Sequence, residues 1–233
     1  MSLYWLGTGS GADFPPVESA LDEPNGLLAA GGDLSEARLL AAYQRGIFPW
    51  YSPGQPILWW CPNPRMILAP NAFHASRSLR RAVRRHAVIV TTNQCFRDVI
   101  NGCAAPRSHE NGTWITEEMR AAYCALHDNG WAHSIEVWQD RTLIGGLYGV
   151  AIGQAFFGES MFSAATNGSK FALMALCQQL TDDHFQLLDC QMHTAHLQSL
   201  GADLISRDQF SRLLEQACGA LKRWKPPPHL RCE

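Results

Sequence analysis

The strongest constraint on this chain is a block of three strand-forming runs, His133–Trp138, Leu143–Ile152 and Gln154–Phe162, separated only by Gln139–Thr142 and a turn at Gly153. Parallel neighbours need a crossover of about a dozen residues or more, so connections this short imply antiparallel hairpins. A three-stranded meander is therefore expected at the centre of whatever this sequence folds into.

Helix signals surround that block. Helices are expected from Ser76 to Arg85, over Gln94–Cys103, and from Thr116, with Glu117 and Glu118 in the first turn, to a stop at Gly130. Asn167–Leu180 is apolar on most of its surface and should be buried. Thr194–Leu200 is a short helix, and a capping box of Ser206 and Gln209 opens a last helix to about Arg223. Two further strands, Ala87–Thr92 and Phe185–Cys190, lie between them. This order predicts an α+β layer with helices on a central, mostly antiparallel sheet. It is compatible with the acyltransferase (GNAT-like) fold of many acetyltransferases, as it is with other sheets.

The first sixty residues differ, being rich in Pro, Gly and Trp. One helix is expected there, Leu34–Arg45, capped by Asp33 with Glu36 completing a capping box and Gly46 closing it. The stretch IFPWYSPGQPILWWCPNPR cannot continue that helix and reads as an aromatic-lined loop and hairpin. A boundary near Pro62–Pro64 divides the chain into a small N-terminal α/β domain, 1–63, and a GNAT-like catalytic domain, 64–233.

The net charge of −2 gives no general reason to bind a polyanion, and no run reaches the roughly 18 apolar residues of a membrane span. No secretory signal is evident, and none of the eight cysteines forms a C-x-x-C pair, which reads as buried thiols in the cytoplasm.

Charge is nevertheless concentrated. Arg77, Arg80, Arg81, Arg84 and Arg85 share one helix face, opposite Leu79, Ala82, Val83 and His86. Repulsion along such a face costs a few tenths of a kcal/mol per i,i+4 pair, which a phosphate backbone would relieve; a solvated basic face is the plain alternative. Trp50, Trp59, Trp60 and Trp114 lie in loop-like segments, where they either stack on unpaired bases or plug a domain seam. Glu159, and Asp189 with Gln191, are polar residues in otherwise apolar strands. In a regular strand Asp189 and Gln191 share a face, so the carboxylate could hold the carboxamide toward a substrate; a satisfied buried pair would look the same. His193 and His196 have a ligand-like spacing but no evident third and fourth ligand, so no metal is expected. The chain has neither a phosphate-binding Gly-rich loop with Lys-Ser/Thr nor a G-x-S-x-G elbow, which favours a donor that arrives already activated.

The stretches FPPVESALDEPNGLLAAGGDLS, YQRGIFPWYSPGQPILWWCPNPR, GTWIT, HSIEVW, GGLYGVAIG, FFGESMFS, NGSKFAL, LLDCQ and SLGA closely resemble the leucyl/phenylalanyl-tRNA–protein transferase family, in its order and over most of the chain. That resemblance implies transfer of Leu or Phe, and less well Met, from aminoacyl-tRNA to an N-terminal Arg or Lys of a protein. It implies a soluble monomer without metal, ATP or coenzyme A, marking acceptors for N-terminus-dependent degradation. By the same resemblance, Asp189 and Gln191 form the catalytic pair and Glu159 lies near the substrate amine. Trp50 and Trp114 hold the terminal adenosine. Leu147, Met161, Leu173, Leu176 and Leu188 form the side-chain pocket, and Arg77, Arg81, Arg84 and Arg85 grip the tRNA. A related acyltransferase with another donor, or a tRNA-binding module without catalysis, are the competing expectations.

Overall fold

A computed structural model describes residues 3–9, 13–105 and 115–232. Strands β1 (Tyr4–Leu6), β2 (Leu27–Gly31), β3 (Phe48–Pro49) and β4 (Leu58–Trp60) form a four-stranded sheet in the order β1-β2-β4-β3, parallel only between β1 and β2. The expected N-terminal helix is α1 (Glu36–Tyr43), but its N-cap position is Ser35 rather than Asp33. The Asp33 carboxylate instead accepts the Ser35 N–H at 3.0 Å and pairs with Arg38. Glu36, expected in a capping box, accepts from Trp131 Nε1 at 3.1 Å, because tertiary donors outcompete a local one there. The β3–β4 hairpin is the loop-and-hairpin region that the Pro- and Trp-rich stretch predicts.

The larger sheet contains β5 (Arg65–Leu68), β6 (Ile89–Thr92), β7 (Ala132–Gln139), β8 (Thr142–Ile152), β9 (Ala155–Ser163), β10 (Leu187–Gln191), β11 (Asp203–Ile205) and β12 (His229–Leu230). Its order is β11-β5-β10-β9-β8-β7-β6-β12, and every pair is antiparallel except β9–β10. The expected meander is therefore β7-β8-β9. Its first turn puts Asp140 and Arg141 at φ 47° and 66°, the left-handed pair that matches the twist of two-residue hairpins.

Helices α2 (Arg77–His86), α3 (Phe96–Ala104), α4 (Glu117–Asp128), α5 (Gly168–Asp182), α6 (Ala195–Ser199) and α7 (Arg207–Ala217) complete the α+β fold. Ser76, Thr116 and Ser206 cap α2, α4 and α7 with their side chains, and Ser206 with Gln209 forms the expected box. Helix α7 stops at Ala217, short of the expected Arg223. Beyond it the chain turns so that Trp224 is buried with Nε1 on Asp183 at 2.7 Å, while Lys222 O accepts the Gly153 N–H. Burying an indole with its donor satisfied outweighs another turn of exposed helix.

Helix α5 rests almost directly on β8. A Cβ on Gly145 would lie 2.5 Å from the Gly168 backbone, so both glycines allow the close approach. That contact brings Leu173 and Leu176 down onto the cavity described next. One core cluster joins residues of the four-stranded sheet to α4 and α7 without a break. No described helix is long and apolar enough to cross a membrane.

Candidate active site

The parallel pair β9–β10 is in register only from Leu187/Ala155 to Asp189/Phe157. Past that point the strands separate, and a cavity of about 990 Å³ is lined by Gly158–Met161 of β9 and Leu188–Met192 around the end of β10. Helix α5 and β8 wall it with Leu173, Leu176 and Leu147, and the β3 end closes it with Phe48, Pro49 and Trp50. All five expected pocket residues, Leu147, Met161, Leu173, Leu176 and Leu188, thus line one apolar space.

The polar end of that space is built around Glu159. The residue is 9% exposed, and burial pushes its carboxyl up to about 7, against the lowering effect of its hydrogen bonds. Tyr43 of α1 donates to Oε1 at 2.8 Å and Tyr123 of α4 to Oε2 at 2.7 Å. Gln191 Nε2 also donates to Oε1, at 2.9 Å. The carboxamide therefore has its amide group anchored, which leaves its carbonyl oxygen as an acceptor at the cavity.

Asp189 does not hold that carboxamide, as regular alternation suggested. A bulge interrupts β10 between Asp189 and Gln191, and Gln191 takes φ 61°. The fully buried Asp189 carboxylate faces Arg65, which donates from Nε at 2.8 Å and Nη2 at 2.6 Å. Asp189 Oδ1 also accepts the Gln191 backbone N–H at 2.9 Å, which fixes the bulge. Asp189 thus positions the backbone of Gln191, and Glu159 orients its side chain.

Arg65 was not singled out in the sequence. Its guanidinium lies 4.8 Å from the Phe48 ring and 4.7 Å from the Phe210 ring, and burial alone would lower its pKa, yet the Asp189 charge raises it overall. Tyr43 and Tyr123 were missed as well, since each reads as an ordinary core residue of an amphipathic helix. The available signal was a hydroxyl on a core stripe, which needs a buried partner.

The tryptophans divide. Trp59 is fully buried, donates to Gly31 O at 2.9 Å and packs edge-on against Phe14, a structural role. Trp50 is 39% exposed at the cavity rim, backed by Trp60 at a ring separation of 5.6 Å. Trp114 lies outside the described residues. The α2 arginines Arg77, Arg80, Arg81, Arg84 and Arg85 are all exposed, and among the described residues no carboxylate pairs with them. Leu79 and Val83 are buried on the opposite side, and His86 faces Phe171 of α5. His193 bonds Gln198 at 3.1 Å, and His196 and Thr194 line the cavity, with Thr194 capping α6.

The pocket is apolar along most of its wall and ends in a carboxylate and an oriented carboxamide, an arrangement that can take an apolar side chain beside an amine, as a group-transfer site would. The profile of the leucyl/phenylalanyl-tRNA protein transferase family matches residues 67–215, and that of its N-terminal domain matches 32–63. Proteins named leucyl/phenylalanyl-tRNA–protein transferase are similar throughout: one from Cellvibrio japonicus is 56% identical, with 91% of this chain and 90% of that protein covered. Those from Pseudomonas aeruginosa (56%; 92% and 94%) and Nitrosomonas europaea (58%; 89% and 88%) are alike. Among solved structures, L-PGS from Bacillus licheniformis gives a TM-score of 0.40 at 8% identity, covering 72% of this chain and 53% of that one. The chain belongs to the leucyl/phenylalanyl-tRNA–protein transferase family of aminoacyltransferases.

Proposed function

We propose that this protein transfers Leu or Phe, and less well Met, from aminoacyl-tRNA to an N-terminal Arg or Lys of an acceptor protein. It acts as a cytoplasmic monomer and marks the acceptor for degradation. The observation that carries this reading is the single cavity in which five apolar side chains meet the Glu159–Gln191 pair. The donor's side chain occupies the apolar end, and the terminal adenosine rests on Trp50 and Trp114. The ester carbonyl then faces the polar end. There Gln191 accepts from the attacking amine and holds it in line, a contribution of positioning rather than of strong basicity. The exposed arginines of α2 hold the acceptor stem.

The test combines purified protein, tRNA charged with labelled Leu or Phe, and a peptide beginning with Arg. Label is expected in the peptide; tRNA that binds but keeps its label would sink the transferase reading. Pocket size offers a second check. Leu176→Phe narrows the apolar end, and one methylene of fit is worth about 1–3 kcal/mol. The ratio of Leu to Phe transfer should rise about tenfold or more, measured as kcat/KM for each donor.

A further inference from the structure

The Glu159 cluster contains one contact too many for its protons. The phenol oxygens of Tyr43 and Tyr123 are 2.5 Å apart, and each also approaches one oxygen of the Glu159 carboxyl, at 2.8 and 2.7 Å. Three close oxygen–oxygen contacts need three protons, and the two phenols supply two. With Glu159 ionised, both phenols donate to the carboxylate and their own oxygens face each other lone pair to lone pair. Such an approach is repulsive at 2.5 Å.

We infer that Glu159, Tyr43 and Tyr123 form a closed hydrogen-bond ring that carries one exchangeable proton on the Glu159 carboxyl, and that this ring is the proton acceptor for the incoming amine. In the protonated ring Glu159 Oε2–H donates to Tyr123, Tyr123 to Tyr43, and Tyr43 to Oε1. Every contact is then a hydrogen bond. Gln191 Nε2 still donates to Oε1 and ties the ring to the cavity wall.

The surroundings leave the ring as the place where a proton comes and goes. Both phenols are held well above their ordinary range, by burial first and then by the Glu159 charge, so they relay a proton without ionising. Tyr148 on β8 is buried beside them and likewise raised by burial. The negative charge of Asp189 on β10 favours a neutral Glu159, while Asp189 itself is committed to Arg65 of β5. Burial raises Glu159 to about 7, so the ring loads and unloads near neutrality.

The chemistry rests on the transfer reading above; the existence of the ring does not. An N-terminal ammonium passes one proton to the ionised ring, breaking N–H and forming O–H on Glu159. The freed lone pair attacks the ester carbonyl carbon, and the C–O bond to the ribose breaks. A second proton leaves the nitrogen for the departing ribose oxygen, giving an amide, a ribose hydroxyl and a protonated ring. The ring then releases its proton to water.

The ring is tested on the free protein by infrared difference between wild type and Glu159→Gln. A carboxylic-acid carbonyl band belonging to Glu159 is expected at pH 5.5, half-lost near pH 7 and about tenfold weaker one unit higher. Glu159→Gln supplies a neutral donor and acceptor in the same place, so its melting temperature should lack the Glu159 contribution to the pH dependence. The wild type, whose folded carboxyl is raised above the unfolded value, should lose stability relative to this variant as pH rises from the unfolded value of 4.5 to about 7, with no further loss above it. A carboxylate band alone at pH 5.5, or parallel melting curves, overturns the ring. In transfer assays Glu159→Gln should lose the component of the acid limb near pH 7 and keep only that of the acceptor's own ammonium; an acid limb identical to that of the wild type overturns the acceptor role. A protein that shows the band and the melting shift but transfers nothing supports the ring and refutes the transferase reading.

Discussion

Replacing Arg65 with Ala is expected to destabilise the fold by about 3–5 kcal/mol, the usual result of breaking a fully buried ion pair. Both partners are nearly inaccessible, with Arg65 at 1% and Asp189 at 0% exposure, so neither charge can be rehydrated when its partner is lost. Asp189→Ala should cost a similar amount for the mirror-image reason, leaving a guanidinium between the Phe48 and Phe210 rings with no counter-charge. Denaturant titration measures both.

The informative variant is the double replacement Arg65→Met with Asp189→Leu. Removing both charges from an apolar site is often neutral for stability, so most of the loss should be recovered. Turnover should not recover, because the Gln191 N–H then has no acceptor and its φ of 61° has nothing to hold it. A double variant with normal stability and normal turnover would show that the pair serves only the fold. Glu159, held by Tyr43 and Tyr123, cannot substitute, since it contacts the Gln191 side chain and not its backbone.

Reversing Arg81 and Arg84 to Glu is expected to weaken tRNA binding on the order of a hundredfold at 0.1 M salt and to flatten the plot of log affinity against log salt by about two units. These two side chains are exposed and have no carboxylate partner among the described residues, so their charge is free for a polyanion. Folding should change little, because Leu79 and Val83, on the other side of α2, make its core contacts. A small aminoacyl-adenosine analogue should bind the variant as it binds the wild type. Equal losses for tRNA and analogue would place the arginines' effect in the pocket and not on phosphate.

Much of the architecture was legible from local pattern. Short turns dictated the meander of β7, β8 and β9, and helix caps at Ser76, Thr116 and Ser206 opened helices where they were expected. The pocket side chains were recognisable only through resemblance to a family, since Leu173 and Leu176 on a largely apolar helix look like core. Helix ends that depend on distant partners were misjudged: Glu36 is drawn to Trp131, and α7 ends early so that Trp224 can be buried. The tryptophans looked equivalent, yet Trp59 faces inward from β4 while Trp50 sits past the end of β3 at the rim.

The sequence by itself determined the class of fold, the basic face of α2 and the identity of the polar residues in apolar strands, because each depends on neighbours within a few positions. Tertiary structure alone decided what those polar residues do. Tyr43 and Tyr123 lie 80 positions apart and Arg65 lies 124 positions from Asp189, and only packing of α1, α4 and the large sheet brings them together. The bulge at Gln191 reversed the expected pairing for the same reason: strand alternation is a local rule, and a buried charge requiring its full set of donors overrides it.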